Sequence, residues 1–281
     1  MIDITTATIC IIGASGQMGT LFKTLWAGKF KELRPLDLEE GRSRLTEEQI
    51  KNTIPGSDIV IFSVPIKKLK EVVTSVASYL PANCVITDFS SVKMIPMEVL
   101  ERNCLVPVVG AHPLFGAESM ENIQPNHQGL DSHLPQATSA QEKRVAIVPG
   151  KRAEPSHISL IEDLFRQAGC STFICSANEH DRAMATIQGL NFISNLAYFS
   201  TSADLPDLDR FITPSFQRRL NAAKSMLTDD AELFMNIARH TPQLREALQD
   251  YTHALEKAIE LDDEAVMEML SLARKYFSPG N

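Results

Sequence analysis

Along the first 175 residues, short apolar runs alternate with segments of helical spacing. Ala7–Gly13 reads as a strand and Gln17–Lys29 as a helix. Leu33–Leu38 is a second, weaker strand. Asp58–Val64, an unbroken apolar run between Pro55-Gly56 and Pro65, is a third. A strand with no polar alternation is one buried on both faces, as in a parallel sheet. Leu69–Leu80 reads as a helix, Cys84–Asp88 as a fourth strand and Val106–Ala111 as a fifth. The rhythm resumes with a strand at Arg144–Val148, a helix at Pro155–Ala168 and a last strand at Ser171–Cys175. Strand, helix, strand in this order predicts a parallel sheet with right-handed crossovers.

From about Ala177 the strand signal stops. Ala183–Phe199, Phe216–Leu227, Ala231–Ala238 and Leu244–Leu270 all carry apolar stripes at helical spacing. The expected architecture is therefore an α/β domain over residues 1–176 followed by an all-α domain over 177–281. A helical bundle of that size exposes apolar stripes that a second copy could cover, so a homodimer through the helical domain is expected. Residues 117–142, rich in Gln, Asn, Ser and Pro, break the pattern and read as a long loop, a lid or a disordered segment.

Composition narrows the partners. The chain has 281 residues and a formal net charge of −8, which argues against the basic face that nucleic acid requires. No apolar run is long enough to span a membrane, and the apolar N-terminus reads as a first strand rather than a signal peptide. The five cysteines (Cys10, Cys84, Cys104, Cys170 and Cys175) lie in or beside apolar runs without a C-x-x-C pair. They are expected to be reduced, buried thiols of a cytoplasmic protein. The histidines show no metal-ligand spacing, and no metal is expected.

Two segments carry chemistry. Gly13-Ala14-Ser15-Gly16-Gln17-Met18-Gly19 joins the first strand to the first helix. Glycines there allow a tight turn and a close backbone approach to a pyrophosphate resting on the helix N-terminus. The spacing is G-x-x-G-x-x-G, a looser form of the dinucleotide fingerprint. Asp37 ends the second strand, about where an acid would accept the adenosine ribose hydroxyls and repel a 2′-phosphate. NAD is thus expected over NADP, with Arg42 and Arg44 close enough to offset part of that repulsion. The second segment is Gly110-Ala111-His112-Pro113-Leu114-Phe115-Gly116. A histidine at the end of a buried strand, with a proline at once after it, is held by rigid backbone on both sides and suits acid–base work.

Together with Ser63-Val64-Pro65, Asp88-Phe89-Ser90-Ser91-Val92-Lys93 and Glu179-His180-Asp181, these segments resemble the prephenate/arogenate dehydrogenase family of tyrosine biosynthesis. The resemblance implies a Rossmann-type domain followed by a helical dimerisation domain. It implies oxidative decarboxylation of a cyclohexadienyl dicarboxylate: hydride passes to the nicotinamide and the ring carboxylate leaves as carbon dioxide. By motif, His112 is the base at the substrate hydroxyl, and Ser91 also reaches that hydroxyl. Gly13, Ser15, Gly16, Gln17, Met18, Gly19, Asp37, Ser63, Val64 and Pro65 would lie along the cofactor. Ser91 also reads as the N-cap of a following helix, and Lys93 as a solvated first-turn residue with no assigned role.

The chain departs from the family in its helical half. The position of an expected histidine falls on Phe192, beside Asn191 and Asn195, and that of a carboxylate-binding arginine falls on Ser225. Arg218, Arg219 or Lys224, and also Arg182, stand near enough to supply a cation. Prephenate is the expected substrate, with arogenate or 4-amino-4-deoxyprephenate as alternatives for the same chemistry; the long 117–142 loop points toward such a change. A β-hydroxyacid or imine-type dehydrogenase would place a catalytic lysine in the helical half. A non-catalytic NAD-binding regulatory protein is the reading from another class.

Overall fold

Strands Thr8–Ile12 (β1), Glu32–Leu36 (β2), Ile59–Phe62 (β3) and Val85–Asp88 (β4) form a parallel sheet in the order β2-β1-β3-β4. The computed structural model describes residues 3–116, 143–203, 208–260 and 262–275; the 117–142 loop lies outside them. These residues form two compact units. One takes in 3–116 and 143–180, and the other begins at Asp181.

Alternation along β1 explains the first unit's core. Ile9 and Ile11 point to one face, where Phe22 and Trp26 of α1 (Gln17–Trp26) pack with Phe165 of α5 (Pro155–Gln167) and with Phe89. The single tryptophan is anchored there by Nε1–H donating to the Leu164 carbonyl at 3.0 Å. Cys10 and Ile12 point to the other face, against α2 (Glu47–Thr53), α3 (Ile66–Val76) and α4 (Met94–Asn103). The central strands β1 and β3 are apolar on both sides because helices cover both. This is the doubly wound, Rossmann-type arrangement anticipated from the sequence. The chain leaves β1 toward β2 on one side and returns to β3 on the other, so the switch point lies between the carboxyl ends of β1 and β3.

The second half of the sheet departs from the all-parallel expectation. β5 (Val109–Pro113) pairs antiparallel with β6 (Arg144–Pro149), His112 lying opposite Ala146, and β6 pairs parallel with β7 (Ser171–Ile174). A run of buried apolar residues looks the same in either direction, so pattern alone does not show the reversal. β5 joins the first sheet through one parallel bridge, Ile86 opposite Val108, with Ile86 N–H donating to Pro107 O at 3.0 Å. Pro107 has no N–H to extend the ladder.

The helical unit contains the end of α6 (Ala177–Met184), a π-helical turn (Ala185–Leu190), α7 (Asn191–Ser202), α8 (Pro214–Leu227), α9 (Ala231–His240), α10 (Leu244–Ile259) and α11 (Asp263–Arg274). The expected single helix Leu244–Leu270 is two. Asp262 ends the run by capping α11, its Oδ2 accepting from Ala265 N–H at 2.9 Å. The unit's core gathers Met184, Phe192, Met226, Ile237 and Leu244, with Phe192 stacked on Phe234 at 6.0 Å between ring centroids. Among the described residues no helix is long and apolar enough to cross a membrane.

Candidate active site

The three glycines of the β1–α1 turn have different reasons to be there. Gly13 has φ +84°, and a Cβ on it would collide with the Ser63 carbonyl at the end of β3. A Cβ on Gly19 would collide with the Gly13 carbonyl where α1 packs on the turn. Gly16 is different. It is the N-cap of α1, and its nearest neighbour to an added Cβ, Gly13 O, would sit at an ordinary 3.4 Å. Packing therefore accounts for Gly13 and Gly19 but not for Gly16, whose bareness leaves room for something outside the chain. A helix N-terminus presents amides there, and an anion is what they attract. Gln17 and Met18 form the first turn of that helix.

Asp37 directly follows β2 and is turned toward this loop. Its Oδ2 accepts from Ser15 N–H at 2.6 Å and its Oδ1 from Leu38 N–H at 2.8 Å. Arg42 and Arg44 are engaged with Glu39 at 2.7 Å and Glu71 at 2.8 Å. Ser63 and Val64 close the third strand against Gly13, and Pro65 is the N-cap of α3. The turn, Asp37 and the Ser63–Pro65 segment thus form one rim at the carboxyl ends of β1, β2 and β3.

His112 is buried in β5 at 4% exposure, and its Nδ1 lies 2.8 Å from Nε2 of His180, the rings meeting edge to face. Burial first, then the neighbouring His180 and Lys93, push its pKa well below the ordinary histidine range. In the tautomer that donates Nδ1–H to His180, the His112 Nε2 lone pair is left as an acceptor; in the other tautomer Nε2 carries the proton. His180 is a functional candidate that residue-by-residue reading passed over, since it entered only as part of a motif. A local signal for its placement exists. Ser176 and Glu179 form a reciprocal capping box, Ser176 N–H to Glu179 Oε2 at 2.8 Å and Glu179 N–H to Ser176 Oγ at 3.2 Å. That box fixes the first turn of α6, which carries His180.

Two expectations in this region are corrected. Ser91 sits half-buried in the β4–α4 turn, but it does not cap α4; the N-cap position is Lys93. Lys93 is not solvated. It is wholly buried, with Nζ donating to Asp88 Oδ2 and to Ala111 O, each at 2.7 Å. A cation with two acceptors inside the fold is retained because both are charge-assisted or backbone contacts.

The other substrate candidates lie in the helical unit. Asn191 and Asn195 bond to each other at 2.8 Å, and the Arg219 guanidinium stacks over the Tyr198 ring at 3.7 Å. Arg218 and Lys224 are exposed. Phe192 is buried, and the Ser225 hydroxyl is used within the fold, donating to Asp230 Oδ2 at 2.5 Å.

A glycine turn at the switch point of a doubly wound sheet, between the carboxyl ends of β1 and β3, defines an α/β protein of nucleotide-binding type. Comparison with known proteins agrees. Residues 37–173 match the family model described as prephenate dehydrogenase, nucleotide-binding domain. A probable arogenate/prephenate dehydrogenase of Methanocaldococcus jannaschii is 23% identical over 97% of this chain, and a T-protein of Enterobacter agglomerans is 24% identical over 96%. The chain spans about three fifths of the length of the first (61%) and 67% of the second. Prephenate dehydrogenase from Aquifex aeolicus, solved with hydroxyphenyl propionate and NAD+, shares the fold at a TM-score of 0.68 and 18% identity, over 98% of both chains. Synechocystis arogenate dehydrogenase shares it at 0.69 and 17%, over 95% of this chain and 96% of its own. The chain is similar to the prephenate/arogenate dehydrogenase family, in sequence over residues 37–173 and in fold over nearly its whole length.

Proposed function

We propose that this protein catalyses the NAD-dependent oxidative decarboxylation of prephenate to 4-hydroxyphenylpyruvate. The observation that carries the reading is His112: a buried imidazole, fixed by β5 and by His180 at 2.8 Å, on the strand after the one that ends at Asp88. The residues present fit a dinucleotide. Gly16 leaves an unfilled approach at the N-terminus of α1, and Asp37 stands at the end of β2 where ribose hydroxyls would be recognised. Asp37 would repel a 2′-phosphate, and Arg42 and Arg44 are each paired with a surface carboxylate, which favours NAD. Gly13, Ser15, Gly16, Gln17, Met18 and Gly19 would hold the pyrophosphate side, with Ser63, Val64 and Pro65 along the same rim. Bound NAD supplies the hydride acceptor.

The protein's own task is positioning and proton handling. Neutral His112 takes the substrate hydroxyl proton as the ring carbonyl develops, and returns it to that oxygen once loss of carbon dioxide has made the ring aromatic. A base whose pKa lies well below neutrality is already deprotonated at cellular pH, so no enzyme is lost to the wrong protonation state. Ser91 is the second group assigned to the hydroxyl. The carboxylates would be met by Arg218, Arg219 or Lys224, with Asn191 and Asn195 as polar neighbours; a domain boundary near residue 177 would put all five in the helical domain. A homodimer is supported by the large apolar side chains that this unit leaves exposed, among them Phe211, Ile259, Met267 and Leu272 at 53 to 78%. The protein is proposed to work in the cytoplasm.

The test is NADH formation with NAD and either prephenate or arogenate in separate assays. Rapid NADH formation with prephenate is the expected result. Turnover of arogenate alone reassigns the substrate within the same chemistry. NAD binding with no turnover of either, nor of 4-amino-4-deoxyprephenate, would sink the catalytic reading in favour of a nucleotide sensor.

A further inference from the structure

The buried Asp88–Lys93 pair lies outside the proton path just described, and its surroundings give it a definite place. Lys93 Nζ reaches two elements at once: Asp88 Oδ2 at the end of β4, and the carbonyl of Ala111, the residue before His112. Asp88 Oδ2 also accepts from Ser90 N–H at 3.0 Å, so one carboxylate oxygen ties the β4–α4 turn to the lysine. The pair passes directly beneath Gly110. A Cβ added there would stand 2.6 Å from Met97 Sδ, 3.3 Å from Asp88 Oδ1 and 3.4 Å from Lys93 Cδ. Gly110 has no positive φ to explain it. Its bareness makes room first for the Met97 thioether, with the carboxylate and the lysine stem close behind it against β5.

A buried ion pair is a poor source of stability, because an apolar side chain of the same volume avoids the desolvation cost of both charges. What an apolar residue cannot do is hold the Ala111 carbonyl by a charged donor or set a fixed charge next to an imidazole. We propose that Asp88 and Lys93 act as a positioning pair for His112: Lys93 pins the strand that carries the ring, sets its ammonium beside it, and is itself oriented by Asp88. Lys93 and His180 are the charged or titratable groups that act on His112, with Asp88 behind Lys93. A cation next to the ring disfavours imidazolium, in the same direction as burial, and holds His112 ready as a neutral acceptor. Two sequence motifs, Asp88-x-x-x-x-Lys93 and Gly110-x-His112, are on this account one device.

The proposal rests on reading His112 as the acid–base group, but it is tested without relying on activity. The protein is labelled at the histidine ring carbons, and the His112 signal, identified by its loss in His112→Asn, is titrated by NMR. In Lys93→Met the titration midpoint is expected to rise by about one pH unit or more, the size of effect a neighbouring charge exerts. Removing only the lysine leaves Asp88 buried and unpaired and can unfold the chain, so Asp88→Asn/Lys93→Met is measured beside it. There both charges are gone, the volume is nearly kept, and a smaller rise in the same direction is expected. A midpoint unmoved in the folded variants, whatever their melting temperature, overturns the proposal and leaves the pair a packing feature. If the midpoint moves while His112→Asn keeps its turnover, the positioning stands and the catalytic reading of His112 is what fails.

Discussion

His112 owes its chemistry to its neighbours rather than to its type. Burial, His180 and Lys93 all press against protonation. The expected consequence for activity is that His112→Asn loses on the order of a hundredfold or more in kcat, as for removal of a general base, while NAD affinity stays nearly unchanged in calorimetry. Stability should report the same group. Above about pH 6.5 the histidine is neutral in both folded and unfolded chains and contributes no pH dependence. Below that, the unfolded chain takes up a proton that the folded chain refuses, so stability is lost as the pH falls toward the depressed folded value. Melting temperatures recorded from pH 7.5 down to pH 5 should therefore fall more steeply for the native protein than for His112→Asn; parallel curves would refute the assignment of a depressed pKa. The thiols are a second residue-scale case. Burial raises Cys10 and Cys84 to about 12, and Cys104 and Cys170 to about 11. A thiol reagent at pH 7.5 should modify half-buried Cys175 well before any of these four in the folded protein.

Among the elements, the β1–α1 turn separates fold from function most cleanly. Gly13→Ala must place a Cβ at φ +84° and against the Ser63 carbonyl, so a loss of several degrees in melting temperature is expected, with a strain of roughly 1–3 kcal/mol. Gly16→Ala meets nothing closer than 3.4 Å, so the melting temperature should hardly move while NAD affinity drops severalfold or more. Equal destabilisation by the two substitutions would mean that Gly16 serves the turn alone. The first turn of α6 is a comparable case. Its capping box fixes the helix turn that carries His180, which makes Ser176 and Glu179 positioning residues for the histidine pair.

For the whole molecule, the apolar stripes of the helical unit are the unfinished part. Ile259 is 78% exposed at the end of α10 and Met267 57% exposed on α11, large apolar side chains that a second copy could cover. Sedimentation equilibrium should find a dimer, and Ile259→Asp/Met267→Asp should weaken it at least tenfold; a monomeric native protein at micromolar concentration would remove this expectation.

The alternation of strands and helices, the location of the glycine turn and the strand-end histidine were legible in the sequence, because each is a local fact. Apolar spacing sets which faces are buried, and a glycine or proline sets what the backbone can do at one position. Strand direction was not legible: β5 and β6 are buried alike whether they run together or opposed, and only the hydrogen-bond ladder distinguishes them. The break at Asp262 was missed because the apolar stripe continues across it. Lys93 was misread for the deepest reason. A lysine in a helical first turn is normally solvated, and nothing adjacent to it in sequence announces that Asp88, Gly110 and Ala111 will close around it. The pairing of His112 with His180, sixty-eight residues apart, is of the same kind. The sequence by itself determined which local pieces exist and which residue types they offer. The tertiary structure decided which charges lie in the dark together, because the energy of a buried charge depends on partners that only long-range folding supplies.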